Sequence, residues 1–303
     1  MSESTLKSFY PRTAAANGLC PDLLVSPNDT LLCGELNQGI LRASTQEQWA
    51  FIEEMYRNQL SDTKPGGSWS PSWCRARYHV AIIIPYRDRE LHLSLLLAYL
   101  SPILRSQLVS HLFIVTEQIG SGLFNKGRLM NAAFTLADKL QVDCVIFHDV
   151  DLFPQSDKVP YTCQPNPFHL GAWVDSLEYV LYYHIMVGGV LTLNMNHFKQ
   201  VNGYSNQYWG WGGEDDDIGW RMLAEHLEIT RPNPNTTKFT MLNHTQRSSV
   251  SYNTTINLLM NSYKRYKEDG LNSTNCWRIV KTDVKPRYYH LLVDVGHIPA
   301  DWN

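Results

Sequence analysis

The sequence predicts an α/β fold whose sheet has nucleotide-binding topology. Three apolar runs rich in β-branched residues alternate with stretches of helical spacing, and the order strand–helix–strand–helix–strand is typical of βαβ units. Hydrophobic residues make up 44% and charged residues 18% of the chain, as in folded rather than disordered proteins. We therefore expect a sheet with ample core on both of its faces.

The first strand is predicted at Tyr78–Pro85, an apolar run that ends in a proline and is typical of a buried parallel strand. Leucines at helical spacing predict a helix over Leu91–Leu104, and His111–Val115 predicts a second strand. A helix over Lys126–Leu140 and a third strand at Cys144–Phe147 follow. Neither a G-x-G-x-x-G nor a G-x-x-x-x-G-K-[ST] motif occurs, so we expect no dinucleotide fingerprint and no P-loop.

Composition around this core predicts four regions. Residues 1–75 are rich in Pro, Ser, Asn and Gly and show little periodicity, so we expect an N-terminal arm that wraps the core. Residues 76–155 form the α/β half. Residues 156–275 are richer in loops, with one strand-like run at Val187–Asn194, and carry most of the candidate catalytic residues. Residues 276–303 form a C-terminal segment.

Charge and hydropathy exclude several classes of protein. The 303 residues include 26 basic and 29 acidic side chains, a net charge of −3, which argues against binding to nucleic acid or to an anionic lipid surface. The longest apolar stretch, about Tyr179–Leu193, contains His184 and is shorter than the roughly 18–20 residues of a membrane span. Residues 1–18 lack the apolar core of a signal peptide.

Five N-glycosylation triplets favour a secretory compartment. They begin at Asn28, Asn235, Asn243, Asn253 and Asn272. A cytosolic chain that is merely rich in Ser, Thr and Asn is the alternative, because each triplet by itself is common. The six cysteines are an even number, which permits a disulfide framework without proving one.

The first candidate site is His148–Asp151, directly after the third predicted strand. Ligands of open α/β sheets bind beyond the carboxyl ends of the strands, and Asp149 and Asp151 share one side of an extended chain. Two adjacent carboxylates repel each other unless a cation joins them, so we expect a divalent metal that also binds a diphosphate. An Asx turn at the strand end is the alternative.

The second candidate site is Trp209–Asp217, where two tryptophans and three glycines precede four consecutive acids. The tryptophans offer flat faces for stacking on a sugar ring, and glycines allow a loop to close over a substrate. One acid can act as general base on an acceptor hydroxyl while its neighbours bind other hydroxyls. A solvated acidic turn is the alternative, but it does not explain the tryptophans.

The third candidate site is Met241–His244. His244 can complete a metal site with Asp151, since an imidazole and a carboxylate both suit Mn²⁺. Met241 is expected to fill the core, because its thioether is a soft ligand and Mn²⁺ is a hard ion.

The fourth group of candidates is basic. Arg87 and Arg89 follow the first strand and can bind a diphosphate. The segment Phe124–Arg128 precedes a predicted helix, and its aromatic ring can stack on a base. Solvated arginines in loops are the alternative for each of these segments.

Taken in this order, the motifs resemble those of the β-1,4-galactosyltransferase family. The resemblance extends over about residues 75–275, and the run of tryptophan, glycine and acid is nearly diagnostic. The matching segments are Ile82–Arg89, Phe124–Asn131, Asp149–Asp151, Val187–Gly189, Trp209–Asp217 and Met241–His244. The resemblance implies the GT-A type fold of nucleotide-diphospho-sugar transferases, a Rossmann-like mixed sheet with a loop-rich acceptor half.

The resemblance also implies a reaction. It is an inverting, Mn²⁺-dependent transfer from a UDP-sugar to the 4-hydroxyl of a terminal N-acetylglucosamine on glycoprotein or glycolipid glycans. Asp215 matches the general base, and Glu214 and Asp216 match residues that hold the sugars. A single displacement inverts the anomeric carbon, so an α-linked donor gives a β-linkage.

The same resemblance assigns ligands. Asp151, Met241 and His244 match the Mn²⁺ ligands, which replaces the core role otherwise expected for Met241. The residues that match donor- or UDP-binding positions of the family are Pro85, Arg87, Arg89, Phe124, Lys126, Asp149, Val150, Met186, Gly189, Trp211 and His244. The acceptor-side positions are Gly213, Asp215, Ile256 and Leu259. Ile256 and Leu259 suit the core face of a helix equally well.

Two departures from the family pattern bear on the donor. Met186 stands where galactosyl members carry a tyrosine, and a flexible methionine leaves room for an acetamido group at C2. Lys126 replaces the usual arginine near the donor O4, and a single movable ammonium discriminates less between axial and equatorial hydroxyls. We therefore expect a UDP-N-acetylhexosamine donor, with GlcNAc slightly ahead of GalNAc. UDP-galactose is the alternative.

Two rival functions are kept open. A lectin-like module that lost turnover would also use tryptophans and a metal, but it does not require Asp215. A proteoglycan-linker galactosyltransferase that acts on xylose is disfavoured, because relatives of that kind carry W-G-W-G-R-E-D-D-E, whereas Gly213 and Asp217 stand here.

The resemblance finally implies a compartment and two disulfides. Cys20–Cys74 and Cys144–Cys163 match family disulfides, while Cys33 and Cys276 have no family partner. We expect a Golgi-lumenal catalytic domain of a type II membrane protein, attached to the membrane only through an anchor absent from this chain. No nucleic-acid partner is expected.

Overall fold

A mixed seven-stranded sheet forms the centre of the computed structural model, which describes residues 18–21, 38–59, 62–243, 248 and 250–302. The strands are β1 (His79–Tyr86), β2 (Ser110–Gln118), β3 (Cys144–His148), β4 (Leu152–Pro154), β5 (Phe168–His169), β6 (Val190–Asn194), β7 (Phe239–Met241), β8 (Arg278–Val284) and β9 (Tyr289–Asp294). The helices are α1 (Thr45–Gln59), α2 (Glu90–Ser106), α3 (Lys126–Lys139), α4 (Met195–Gln200), α5 (Glu214–Ala224), α6 (Tyr252–Met260) and α7 (Ser262–Arg265).

The order of strands in this sheet is β5-β6-β3-β1-β2-β9-β8. Strands β3, β1, β2 and β9 run parallel, whereas β6 is antiparallel to β3, and β5 and β8 are antiparallel to their own neighbours. A separate two-stranded ladder joins β4 to β7. The predicted βαβ order and the mixed sheet are therefore confirmed, and ligands are expected at the carboxyl edge of β1–β3.

Strand β1 shows why the apolar run folds as a central strand. Successive side chains alternate between the faces of a sheet. Val80, Ile82 and Ile84 are fully buried with the leucines of α2 on one face, and Ala81 and Ile83 are fully buried with α3 on the other. Because both faces of the strand are buried, nearly every position is apolar, and apolar and polar residues do not alternate.

The N-terminal region contains a helix that its composition did not predict. Ser44 and Glu47 form a capping box before α1: the Ser44 N–H donates to Glu47 Oε2 (2.8 Å), and the Glu47 N–H donates to Ser44 Oγ (3.4 Å). Buried Ile52 and Tyr56 pack α1 against α2. The S-x-x-E spacing was the available signal.

The C-terminal segment also contributes structure that the sequence analysis left out. The β8–β9 hairpin extends the sheet, because β9 pairs with β2 in parallel from Ile114–Tyr289 to Gln118–Val293. The His290 ring also lies 2.7 Å from Glu117 Oε2. Residues 278–294 thus share a sheet with the 76–155 region, and the division into four regions stays a prediction.

Two disulfides and the hydropathy of the helices complete the picture. Cys20–Cys74 and Cys144–Cys163 are both bonded, as the resemblance implies. Cys276 is a free, half-buried thiol, and Cys33 lies outside the described residues. Within the part of the chain that the structure describes, no helix combines the length and the apolar character that crossing a bilayer requires.

Candidate active site

The carboxyl ends of β1 and β2 place a cation beside an aromatic ring. The Arg87 guanidinium, just after β1, donates to the carbonyl oxygens of Gly120 (3.3 Å) and Gly122 (2.7 Å) in the loop after β2. It also lies 5.4 Å from the centre of the Phe124 ring, a cation–π contact. Arg87 and Phe124, predicted to contact a diphosphate and a base, thus lie next to each other at the carboxyl ends of β1 and β2.

Lys126 brings three of the predicted motifs together. It is the first residue of α3, whose N-terminus is capped by the Asn125 side chain. Its Nζ is 3.0 Å from Asp149 Oδ1, 3.0 Å from Asp215 Oδ2 and 3.5 Å from Glu214 Oε1. The predicted UDP-side aspartate and the predicted general base are therefore held by one ammonium group.

The charges in this cluster depend on each other. Burial alone would lower the pKa of Lys126, but the carboxylates of Asp149, Asp215 and Glu214 hold that pKa well above its ordinary value. Burial, and next the neighbouring Asp215 charge, raise the pKa of Glu214 to about 7, while Lys126 opposes the rise. Lys126 therefore stays charged, and it stabilises acids that burial alone would protonate.

The β4–β7 ladder brings two predicted metal ligands side by side. Leu152 lies opposite Met241 in this ladder, and the Leu242 N–H donates to the Asp151 carbonyl (2.8 Å). The Asp151 carboxylate lies 3.3 Å from Arg89 Nη1. The ladder thus brings together Asp151 and Met241, which are 90 positions apart in sequence, through the backbone hydrogen bonds of their neighbours.

The donor set can be tested for a cation from the described ligands. Asp151 is 8% exposed and supplies the hard, charged oxygen that Mn²⁺ prefers, with Met241 directly beside its strand. His244, the third predicted ligand, lies outside the described residues. Among the described residues, no three His, Cys, Asp or Glu side chains converge in a way that could hold a metal. The ladder brings the backbones of Asp151 and Met241 close together, and their role as metal ligands stays a prediction.

Helix α5 begins within the acidic run, and this explains the four consecutive acids. Glu214, Asp215, Asp216 and Asp217 occupy its first turn, where the helix dipole favours negative charge. The structure therefore replaces the solvated-turn alternative with a helix N-terminus. The partners differ from one acid to the next: Asp216 accepts a hydrogen bond of 2.8 Å from the Tyr183 hydroxyl.

Behind the site lies a buried ionic network that the sequence analysis missed. Arg221 Nε donates to Asp217 Oδ1 (2.5 Å), and Arg221 Nη2 lies 3.2 Å from Asp269 Oδ2. Arg265 pairs with both aspartates, and the Tyr208 hydroxyl donates to Asp217 Oδ2 (2.9 Å). Asp217 therefore anchors α5 rather than facing a substrate. The i,i+4 spacings 217–221 and 265–269 were the available signal.

The two tryptophans of the motif have different roles. Trp209 is 3% exposed, and the Arg128 guanidinium lies 4.6 Å from the centre of its ring, so the expectation that it stacks on a sugar is wrong. Trp211 is 61% exposed, between Gly210 (φ 83°) and Gly212 (φ 98°). Only Trp211 has a face available to a ligand.

The remaining donor-side residues surround the same edge. Pro85 lies near the end of β1, and Val150 is buried in the core between the two aspartates of the D-x-D motif. The Asp149 N–H donates to the Gly189 carbonyl (2.9 Å), which joins the glycine pair to that motif. Met186 is half-buried in the loop that leads into this glycine pair.

Helix α6, which carries two of the predicted acceptor residues, packs against the residue that precedes the acidic helix. Gly213 (φ 97°) immediately precedes α5, and a Cβ added there would lie 2.7 Å from the Thr255 methyl of α6. Ile256 and Leu259 lie on this same helix and are half-buried. Their role toward an acceptor stays a prediction.

Comparison with known proteins identifies the family to which these motifs belong. A model of the N-terminal region of glycosyl transferase group 7 matches residues 34–164, and a model of the N-terminal domain of galactosyltransferase matches residues 168–245. Human β-1,4-galactosyltransferase 5 is 36% identical over 287 residues, which cover 93% of this chain and 71% of the relative. The chain belongs to the β-1,4-galactosyltransferase family. The expected family is therefore confirmed.

Other members of this family agree. β-1,4-Galactosyltransferase 4 of Cricetulus griseus is 41% identical over 231 residues, covering 76% of this chain and 67% of the relative. The catalytic domain of Drosophila β-1,4-galactosyltransferase 7 in complex with xylobiose aligns with a TM-score of 0.64 and 29% identity, over 74% of this chain and 97% of that one. A mutant of that enzyme was solved with manganese, UDP-Gal and xylobiose (TM-score 0.64, 28% identity, the same coverage). This family member is a UDP-sugar-dependent β-1,4-glycosyltransferase with the GT-A type fold.

Proposed function

We propose that the enzyme transfers galactose from UDP-galactose to the 4-hydroxyl of a terminal N-acetylglucosamine, with Mn²⁺ as cofactor. The observation that carries this proposal is the convergence on Lys126 of Asp149, from the donor motif, and Asp215, from the acidic helix. Such an arrangement puts a carboxylate for the acceptor next to the groups expected to hold the diphosphate. The family relatives are named as galactosyltransferases, and a structural neighbour contains UDP-Gal.

Residues of this chain perform most of the proposed reaction. Phe124 and Arg87 bind the base and the diphosphate of the donor, and Asp215 accepts the proton of the acceptor 4-hydroxyl. A bond then forms between that oxygen and C1 of the sugar, while the bond from C1 to the diphosphate oxygen breaks and UDP leaves. Glu214 and Asp216 hold hydroxyls of the sugars.

Asp151, Met241 and His244 would hold the Mn²⁺. When bound, the ion supplies positive charge that stabilises the leaving diphosphate. Manganese in the complex of the Drosophila relative supports Mn²⁺ as the cofactor. Arg89 Nη1, 3.3 Å from the Asp151 carboxylate, holds that ligand on the diphosphate side of the site.

A second donor is favoured by two specific residues. Met186 and Lys126 differ from the galactosyl pattern in the direction of a UDP-N-acetylhexosamine, as the sequence analysis expects. The names of the relatives and the UDP-Gal complex support galactose better than this expectation. We therefore rank UDP-galactose first and the N-acetylhexosamines, GlcNAc and GalNAc, second.

A donor and acceptor panel tests both proposals. Purified enzyme with Mn²⁺ is assayed with UDP-Gal, UDP-GlcNAc and UDP-GalNAc, on β-linked N-acetylglucosamine and on xylose acceptors. Preference for UDP-Gal on N-acetylglucosamine supports the first proposal, and preference for either N-acetylhexosamine supports the second. Transfer to xylose alone would overturn the acceptor assignment.

The proposed site of action is the Golgi lumen. The two disulfides are typical of an oxidising compartment, and the exposed asparagines of the triplets at Asn235 and Asn253 agree with passage through the secretory pathway. Immunofluorescence of the tagged natural protein against a Golgi marker tests this location.

A further inference from the structure

A short loop segment forms the wall between the donor motif and α5. This wall segment, residues 183–188, lies just before β6 and contains Met186. At one end, the Tyr183 hydroxyl donates to Asp216 (2.8 Å). At the other end, a Cβ added to Gly188 would lie 3.0 Å from Asp215 Oδ2. The wall segment therefore contacts the acidic helix along its whole length.

Two basic side chains hold alternate carbonyl groups of the wall segment. The Arg231 guanidinium donates from Nη2 to the carbonyl oxygens of His184 and Met186, the latter at 3.2 Å. The next alternate carbonyl, that of Gly188, accepts from His169 Nε2 (2.8 Å). Since a carbonyl only accepts, Nε2 of His169 carries the proton. The backbone on both sides of Met186 is thus fixed from one direction.

Gly219 fixes the wall segment from the other direction. It lies in the middle of α5, where glycine is less favourable than alanine by about 1 kcal/mol. A Cβ added there would lie 2.3 Å from the carbonyl oxygen of Ile185. The glycine is therefore explained by the close approach of the Ile185 backbone, which any side chain would push away from α5.

We infer that Arg231 and Gly219 are positioning residues for donor choice, because together they set where the backbone places Met186. This inference rests on the proposed function, in which Met186 borders the C2 substituent of the donor sugar. Space beside that substituent then depends on the Arg231 clamp and the Gly219 contact as well as on the methionine side chain. Neither residue belongs to the predicted site.

Two variants separate the backbone from the side chain. Arg231→Lys keeps the charge but loses the guanidinium nitrogen, Nη2, that donates to both carbonyls, and Gly219→Ala introduces the atom that meets Ile185. For both, we expect kcat/KM for UDP-GalNAc relative to UDP-Gal to rise about tenfold, since Arg231→Lys loosens the wall segment and Gly219→Ala displaces it from α5. The affinity for UDP alone with Mn²⁺, measured by calorimetry, should change less than about twofold, because UDP lacks the sugar.

Stability gives an independent reading of the Gly219 contact. Gly→Ala in a helix interior normally stabilises a protein by about 1 kcal/mol, so a loose contact predicts a higher Tm for Gly219→Ala. The close approach to Ile185 predicts a lower Tm instead. Arg278→Lys, at an exposed arginine of β8 remote from the wall segment, is the matched control and should leave donor ratio and Tm unchanged.

The outcomes distinguish this inference from the proposed function. Wild-type donor ratios in both variants, or a loss of UDP affinity in proportion to the loss of transfer, would overturn the positioning role. If wild-type enzyme transfers neither sugar, the proposed function fails, and the inference is then decided by binding. The affinities of UDP-Gal and UDP-GalNAc relative to UDP, measured without acceptor, must still shift in the variants for it to stand.

Discussion

At the scale of single residues, Lys126 binds carboxylates of the protein itself, in addition to the donor contact that the sequence predicts. Its ammonium group lies within 3.5 Å of three carboxylates that come from two separate motifs. A cation in that position opposes the burial that raises the pKa of Glu214 to about 7, and so favours negative charge at this edge of the sheet before any ligand arrives. In the proposed reaction the same group also contacts a donor hydroxyl, which would link donor binding to the environment of Asp215.

Asp215→Asn tests the general base. We expect turnover to fall by about 10²–10⁴-fold, because an amide cannot accept the proton of the acceptor hydroxyl. Affinities for UDP and Mn²⁺, measured by calorimetry, should remain close to wild type, since neither depends on that proton. Asp283→Asn, on β8, provides a control for the loss of a surface carboxylate. Equal sugar binding without transfer in both wild type and variant would favour a non-catalytic binding module.

At the scale of elements, the glycines before α5 separate two kinds of constraint. Gly212 and Gly213 both have left-handed backbone, with φ values of 98° and 97°. A Cβ at Gly213 would also lie 2.6 Å from the Tyr208 ring, whereas nothing lies within 4 Å of a Cβ at Gly212. A side chain would therefore strain the backbone at both positions, but only at Gly213 would it also clash with a neighbour.

Alanine at each of these glycines should give different losses of stability. We expect Gly212→Ala to cost about 1 kcal/mol through strain, and Gly213→Ala to cost about 2–4 kcal/mol through strain and overpacking. Urea unfolding of both variants measures the difference. Equal losses would show that the contact with Tyr208 relaxes freely.

The capping box of α1 makes a second prediction at this scale. Ser44→Ala removes the side chain that accepts from the Glu47 N–H, and we expect a loss of about 1 kcal/mol in the free energy of unfolding. Thr45→Ala, at the exposed first residue of the helix, should have little effect and serves as the control. A Tm as low in the control as in Ser44→Ala would contradict the capping role.

Elements differ in how far the sequence foretells them. The strands β1–β3 and helices α2 and α3 follow from hydrophobic spacing, because each is buried over most of its length. Helix α1 is half-exposed, and its signal is a single capping box. Strand β8 is largely exposed and charged, so its strand state depends on pairing with β9 rather than on its own pattern.

At the scale of the whole molecule, the site combines residues that no local pattern joins. The motifs themselves are visible in the sequence, but the meeting of Lys126 with Asp215 depends on tertiary packing. Trp209 was misjudged because its burial against Arg128 comes from a distant helix. Within the wall segment, the sequence points to Met186, Val187 and Gly188, but the backbone contacts from Arg231 and Gly219 leave no mark in a side-chain pattern.

Buried histidines predict a loss of stability in acid. Burial lowers the pKa of His111 to about 3 and that of His169 to about 4. The unfolded chain binds protons below about pH 6.5 while these native rings do not, so stability falls as pH drops below that value. Each ring should cost about 2 kcal/mol at pH 5 relative to pH 8.

Urea unfolding at pH 8 and pH 5 measures this effect. The raised pKa of Glu214 acts in the opposite sense in every variant, so the test is a comparison: relative to pH 8, the midpoint at pH 5 should be higher for His111→Gln than for wild type. His297→Gln, at an exposed histidine, should keep the wild-type difference. A His111→Gln midpoint that changes between pH 8 and pH 5 as much as that of wild type would contradict the prediction.

The pairing of β9 with β2 has a consequence for synthesis of the chain on the ribosome. Strand β2 is complete at Gln118, but its partner ends at Asp294, so one edge of the growing sheet stays open while more than half the chain is made. At roughly 5–20 residues per second this interval lasts on the order of ten seconds or more. An open, apolar strand edge invites pairing with other chains. Chaperone protection of that edge should therefore govern the yield of active enzyme, and truncation within β9 should send the product to aggregation rather than to a smaller folded domain.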